Sequence, residues 1–258
     1  MNFVNLAHGA FAMVGGYVCA VLVNQSGVPF VVALPIAFVA SALVGIVMEQ
    51  TLYKRLYHRN PLDQVLFTIG LVFMAVTAVD YVMGSSQVFI HLPEMLQGQF
   101  QVFGIGIGRY RLMIIVICGL LTLGIQMTLA HTRFGSRLRA AVDNPRAASG
   151  LGINVPQVFA LTFAFGSGLA GLGGALGAEI LGLDPYFPLK FMIYFLIVVT
   201  VGGSQTITGP FLASLLLGVA DVADKYYVPK LGAFVIYTVM IAILIWRPNG
   251  LFGRVAQR

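Results

Sequence analysis

Long apolar runs broken by short polar ones organise this chain. The runs cover roughly residues 9–23, 29–53, 64–83, 111–130, 157–180, 191–208, 210–228 and 231–246. A helix needs about 20 mostly apolar residues to cross a bilayer, and most of these runs are near that length. The first and sixth are short and read as partial or broken helices. The stretch from 191 to 228 is divided at Gly202-Gly203 and Gly209-Pro210. No run alternates with the period of two that marks a barrel strand. Backbone in lipid must satisfy its own hydrogen bonds, so the predicted elements are helices. The pattern therefore predicts an all-α polytopic membrane protein with about eight transmembrane or partial helices, forming a single transmembrane domain over residues 1–258.

Composition sharpens this. Hydrophobic residues make up 59% of the chain and charged ones 9%, against about 25% charged in soluble domains. A soluble fold could not cover its surface with so little charge, whereas a bilayer solvates apolar side chains directly. The net charge of +6 does not point to nucleic acid, because the basic residues form short clusters between apolar runs instead of one face. Lys54, Arg55, Arg59, Arg133, Arg137, Arg139, Arg146, Arg247, Arg254 and Arg258 occupy one set of connections. Arg109, Arg111, Lys190, Lys225 and Lys230 occupy the other. The richer set is expected on the cytoplasmic side. This places the C-terminus and the loops 54–63 and 131–156 inside, and makes 84–110 an extracytoplasmic loop with a short hairpin or surface helix. The opening MNFVNLAHGAF lacks a basic n-region and a cleavage site, so no cleaved signal peptide is expected.

The chemistry on offer is sparse. Metalloprotease and serine-hydrolase signatures are missing, the four histidines are scattered, and no Walker motif is present. The expectation is a protein that is no enzyme and binds no metal or cofactor of its own. Cys19 and Cys118 lie inside apolar runs and read as packing residues. The glycine-rich run 166–177 has small residues three and four apart, which suits close helix packing in lipid better than phosphate binding. Asn5, His8 and Gly9 form a polar cluster at the edge of an apolar run. They read either as a broken helix facing a solute path or as a local cap. Glu179, Asp184, Asp221 and Asp224 fall near outer span ends, where pairing with Lys190 or Lys225 competes with solute contact. Glu49 reads as an ion-pair partner of Lys54 and Arg55. Asp80 alone approaches the buried ionisable group that an ion-coupled transporter would need.

The strongest feature is the inner loop HTRFGSRLRAAVDNPRAASGLGINVPQ, 131–157. Residues 136–150 predict a short basic amphipathic helix, divided at Asn144-Pro145 and ended by Gly150 and Gly152. Such a helix either lies on anionic headgroups or docks on a cytoplasmic protein. Thr132, Arg133, Gly135, Arg139, Ala140, Asp143, Pro145, Ala147, Ala148, Gly152, Ile153 and Asn154 resemble the coupling loop of branched-chain amino acid ATP-binding-cassette importer permeases. Asn144 stands where an acidic residue is common. The opening VNLAHGAFAMVGGY, 4–17, resembles that family's first conserved element in its LivH-type members, and IWRPNGLFGR, 245–254, its closing one. VGGSQTITGP, 201–210, falls where relatives carry a glycine-rich turn, with Gln205 and Thr208 departing from it.

The resemblance implies a permease moving its solute by alternating access, in a bacterial inner membrane, multi-pass, with its C-terminus cytoplasmic. It implies a second homologous permease, two cytoplasmic ATP-binding subunits that hold ATP and Mg, and an extracytoplasmic solute-binding protein. The ATPase contact would involve Arg133, Gly135, Arg137, Arg139, Ala140, Asp143, Pro145, Ala147 and Gly152. Asn5, His8, Gly9, Gly202, Gly203, Ser204 and Gln205 would line the solute path. The cargo implied is a branched-chain amino acid; urea, amides, aromatic acids and sugars are the alternatives, with an ion-coupled secondary transporter from another class. Relatives also carry a span ahead of the first element, so the chain reads as lacking the family's first span and Met1 as an internal start.

Overall fold

A computed structural model describes residues 5–57, 59–102, 105–203, 206–227, 234–247 and 250–251. Each of the eight apolar runs corresponds to one helix. In order these are α1 His8–Asn24, α2 Phe30–Met48, α4 Pro61–Met83, α5 Arg109–His131, α8 Val155–Leu181, α9 Phe187–Gly202, α10 Thr208–Tyr227 and α11 Phe234–Trp246. α2 continues without a break through a π-helical turn, Glu49–Tyr53, into α3, Lys54–Leu56. Among the described residues, four stretches are long and apolar enough to cross a membrane: Phe30–Leu56, Pro61–Met83, Arg109–His131 and Val155–Leu181. The protein is an all-α polytopic membrane protein. α1 has 17 residues and α9 has 16, about 25 Å each at 1.5 Å per residue, less than a full crossing with its interfaces. The two runs expected to be partial are thus short helices, and α11, with 13 described residues, is short as well.

The chain divides into two compact units, Met1–Gly119 with Met127–Lys190, and Leu120–Gln126 with Phe191–Arg258. The first is organised by α1, α2 and α8, whose contacts run through small residues. A Cβ added to Gly15 would overlap the backbone of Gly171, and one on Gly174 would overlap the carbonyl of Ala12. Ser41, fully buried on α2, donates its hydroxyl to the Phe11 carbonyl at 3.3 Å. Lipid gives apolar helices no hydrophobic reason to associate, so close backbone approach and buried hydrogen bonds hold them. That is the packing role expected of 166–177. α5 is the opposite case. Among its described residues only Tyr110 is buried, and Ile115, Val116, Leu120, Leu123 and Met127 are all more than half exposed, as suits a surface solvated by lipid or by another subunit.

The connections of this unit gather at two ends. At one, Asn24 donates to the Phe89 carbonyl at 2.8 Å and accepts from the His91 amide at 3.0 Å, and Tyr110 donates to the Leu176 carbonyl at 2.7 Å. The loop 84–110 there contains a 3-10 turn at Glu94–Leu96 and an antiparallel hairpin of β1 Gln99–Val102 with β2 Ile105–Gly108, the hairpin being one of the two alternatives expected. At the other end lie α3, the start of α4, the two short helices α6 Arg133–Asp143 and α7 Pro145–Gly150, and the start of α8.

One segment departs from the expected loop. The chain after α8 turns back along α1 instead of staying at the end. Leu183 pairs with Val88 in an isolated bridge and its side chain lies against Gly16, while Pro188 lies against Gly9. Gly16 to Gly9 is about 10 Å of helix axis. Leu183, Pro185, Phe187 and Pro188 are all essentially inaccessible. α9 therefore starts at Phe187, four residues before the hydrophobic run suggests, inside the helix bundle.

In the second unit, Ile197, Val201, Ala213, Leu217 and Ile236 form a buried cluster joining α9, α10 and α11. α9 ends where Gly203 takes φ +86°, and a Cβ on Gly202 would overlap Gly209 and Pro210. The closing segment packs there too: Leu251 donates its amide to the Val201 carbonyl at 2.8 Å, and Gly250, at φ +81°, sits against Gly203.

Candidate functional site

The basic loop folds into an elbow of α6 and α7. The helix starts at Arg133, three residues before the expected 136, because Thr132 caps it: the Thr132 hydroxyl accepts from the Gly135 amide at 3.3 Å. Asn144 breaks the helix as Pro145 demands and starts the next, accepting from the Ala147 amide at 3.0 Å. Asn154 does the same for α8, accepting from the Gln157 amide at 3.2 Å. Three successive capped starts make this the most heavily capped stretch described. Each such cap contributes about 1 kcal/mol, enough to hold helices of 11 and 6 residues that are too short to persist alone.

The elbow is anchored on its inner face. Ala141, Ala148, Val155 and Val158 are buried together, with Leu138, Ala140, Ile153 and Phe159 packed around them. Gly135 sits so near Leu129 that a Cβ would overlap the Leu129 carbonyl. The same carbonyl accepts a hydrogen bond from Arg139 Nη1. Arg139 therefore ties the elbow back to α5. Gly152 takes φ +82°, the left-handed conformation that closes α7 and that glycine alone adopts cheaply. The outer face carries Arg133, Arg137, Asp143, Pro145, Arg146 and Ala147, all exposed. Among them stand two apolar side chains, Leu151 at 82% and Val142 at 44% exposure. The result is a rigid, basic projection with an apolar tip.

At the start of α1 the structure brings Asn5, His8 and Gly9 together with groups the sequence did not single out. Asn5 Oδ1 accepts from the Ala7 amide at 2.9 Å and from the Tyr53 hydroxyl at 3.4 Å; Asn5 Nδ2 is buried without a partner. The Leu6 amide reaches Thr68 Oγ1 at 3.4 Å. The His8 ring is edge-on to Phe11 and Phe163, with centroids at 6.1 and 6.3 Å. A Cβ on Gly9 would come 3.0 Å from Pro188 Cα. So Asn5 does cap local backbone, and the helix also begins beside α4 and α8 well inside their spans, leaving an amide donor unsatisfied. Gly202 and Gly203 form the turn of the second unit; Ser204 and Gln205 lie outside the described residues.

Of the four acidic residues near outer span ends, Asp184 and Asp221 pair as expected, whereas Asp224 is 5% exposed with its Oδ1 buried and unpartnered. Lys190 pairs with Asp184, and Lys225 Nζ with Asp221 at 2.6 Å. Asp80 is half-buried and accepts from Ser85 Oγ at 2.8 Å, so it is not a fully buried, unpartnered ion site. Glu49 requires a correction. It is 3% exposed and takes its hydrogen bond from the Tyr57 hydroxyl at 3.1 Å, not an ion pair with Lys54 or Arg55, which are both exposed. Burial, helped by the adjacent Glu49 carboxylate, raises the Tyr57 phenol above its ordinary pKa, which keeps it a donor. Among the described residues no cluster could hold a metal; Cys19 is buried and Cys118 exposed.

Comparison with known proteins places these features. A family model described as branched-chain amino acid transport system / permease component matches residues 1–244. The chain is 28% identical to the high-affinity branched-chain amino acid transport system permease protein BraD of Pseudomonas aeruginosa, over 98% of this chain and 87% of that one. It is 29% identical to the probable branched-chain amino acid transport permease protein LivH of Methanocaldococcus jannaschii, over 98% and 84%. With the LivH protein of Escherichia coli identity is 26%, over 98% and 87%. No solved structure matches the chain.

Proposed function

The chain belongs to the branched-chain amino acid transport system permease family, and from that premise we propose that it is the permease subunit of an ATP-driven importer of branched-chain amino acids. It would work beside a second, related permease, with two cytoplasmic ATP-binding subunits and an extracytoplasmic solute-binding protein. The elbow carries this reading. A permease driven from outside itself needs a stiff contact that passes motion to the spans. α6 and α7 supply one: capped at each start, locked by Gly135, tied to α5 through Arg139, and continuous with α8. The Lys and Arg bias puts it on the cytoplasmic side, where an ATPase would be. A membrane-surface helix would need its apolar residues along one exposed face. Here most of them are turned inward against α8.

In this mechanism the ATPase dimer closes on ATP and pushes the elbow, and α8 shifts against α1 and α2. The solute path switches sides by selection between two conformations. Asn5, His8 and Gly9 are proposed to line that path. An ion-coupled alternative would rest on Asp80, which is half-buried and already hydrogen-bonded to Ser85.

The test is Arg137→Glu with Arg146→Glu, two exposed positions whose change leaves the buried face intact. Co-expressed with its neighbouring ATPase, second permease and binding protein, the double variant should insert and fold normally. ATP-driven leucine uptake into proteoliposomes should fall by more than tenfold. Uptake equal to wild type would refute the elbow as the ATPase contact.

A further inference from the structure

The re-entrant segment between α8 and α9 carries an ion pair at membrane depth. Leu183 lies on Gly16, so Asp184 and its neighbours stand about 12 Å along α1 from its Asn24 end. Asp184 is 8% exposed. One carboxylate oxygen accepts from the Tyr186 amide at 2.9 Å, and the other is held by Lys190 Nζ. The two partners are unequal: the Lys190 side chain is 56% exposed and that of Asp184 11%. Beside them lies Tyr17 of α1, 4% exposed, with its hydroxyl buried and unpartnered. Asp184 is within electrostatic reach of that hydroxyl.

These features are costly to keep without a purpose. Charges at membrane depth are expensive even when paired. A buried hydroxyl with no partner forfeits the hydrogen bonds it made to water, a loss that phenylalanine at position 17 would avoid. We propose that Asp184, Lys190 and Tyr17 form a receptor for a zwitterionic amino acid, resting on the amino-acid reading above. The solute ammonium replaces Lys190 at the outer oxygen of Asp184, the solute carboxylate takes Lys190, and the Tyr17 hydroxyl gains the partner it lacks. The exchange conserves charge: one internal ion pair opens, two form with the solute, and the net charge in the bundle stays zero. With no solute bound, Asp184 and Lys190 neutralise each other, so the empty site does not attract a lone inorganic ion. The exposed side of Lys190 is the side from which solute arrives.

The experiment measures uptake of radiolabelled leucine by the complete transporter in proteoliposomes with saturating loaded binding protein, alongside thermal unfolding of each purified variant. Tyr17→Phe should lower maximal uptake about tenfold, the loss of one hydrogen bond to a charged group, with an unfolding temperature equal to or above wild type. Asp184→Asn should lower uptake further. The exchange Asp184→Lys with Lys190→Asp restores the pair and hence the fold, and should leave uptake lost. Wild-type uptake in Tyr17→Phe and Asp184→Asn would overturn the receptor. So would recovery of uptake in the charge exchange, or a loss in Tyr17→Phe that tracks its unfolding temperature, since each marks a purely structural pair. Wild-type transporter that takes up no leucine would overturn the amino-acid reading itself, a result distinct from those three.

Discussion

Gly135→Ala probes the elbow with a single methyl group. That methyl would occupy space held by the Leu129 carbonyl oxygen, so α6 must move away from α5. Overpacking of this kind costs about 1–3 kcal/mol. The movement also strains two bonds at the same point: the Thr132 cap, about 1 kcal/mol, and the Arg139 bond to Leu129, about 0.5–1 kcal/mol at an exposed site. A local destabilisation of about 3 kcal/mol follows, roughly a hundredfold in the opening equilibrium. Trypsin reads it directly, because the elbow carries Arg133, Arg137, Arg139 and Arg146, and cleavage of a rapidly reclosing segment follows its open population. Cutting between 133 and 146 should quicken by about a hundredfold, while cutting after Lys54, Arg55 and Arg59 stays at its wild-type rate. Gly150→Ala is the control, since a Cβ there meets nothing within 4 Å and alanine favours the helix. Equal elbow cleavage in Gly135→Ala and wild type would refute the idea that this contact locks the loop.

Three further outcomes test the packing. Gly174→Val should prevent close approach of α1 and α8, because a side chain would overlap the Ala12 carbonyl, while Gly173→Val, with open space at its Cβ, should fold; unfolding temperature and monodispersity in detergent separate the two. Tyr57→Phe removes the donor of a carboxylate that is 3% exposed and should cost about 1–3 kcal/mol, read as a lower unfolding temperature, with Glu49→Gln in the Tyr57→Phe background recovering part of it. Gly250→Ala should loosen the closing segment, since its positive φ and its proximity to Gly203 both disfavour a side chain, and the expected loss is about 1–2 kcal/mol, measured in the same assay.

How much of this was legible in the sequence depends on the range of the signal. The spans are composition summed over about twenty residues, and their ends agree within a few positions: 64–83 against Pro61–Met83, 111–130 against Arg109–His131, 157–180 against Val155–Leu181. The break at Asn144-Pro145 was legible because proline acts on its immediate neighbour. The Thr132 cap and the Arg139 tether were not read as such. A cap is visible only once the helix start is known, and the tether joins residues ten apart across a turn between two helices. Glu49 was misread for a related reason. Lys54 and Arg55 stand five and six positions on and are both exposed, and nothing local in the sequence shows that Tyr57, eight positions on, comes over the carboxylate.

The re-entrant segment was the least legible element, and the reason bears on function. Hydropathy places 181–190 between two apolar runs and so makes it a surface connection. The polar residues that suggest a surface, Asp184 and Lys190, neutralise each other, and the prolines at 185 and 188 remove amide donors that would otherwise go unsatisfied in a buried turn. Gly9 and Gly16 of α1 then leave room for Pro188 and Leu183 where side chains would otherwise stand. A buried charged loop is thus encoded jointly by its own residues and by small residues some 170 positions away, a coupling no local window detects. The same joint encoding makes the segment movable. α1 meets it through glycines instead of interlocked side chains, so sliding α8 against α1 shifts Asp184 and Lys190 relative to Tyr17 without first unpacking a large side chain. A push delivered to the elbow at the start of α8 emerges at the end of that helix, one turn of chain from Asp184. In this geometry the contact that would receive the work of ATP and the residues proposed to hold the solute are the two ends of one helix.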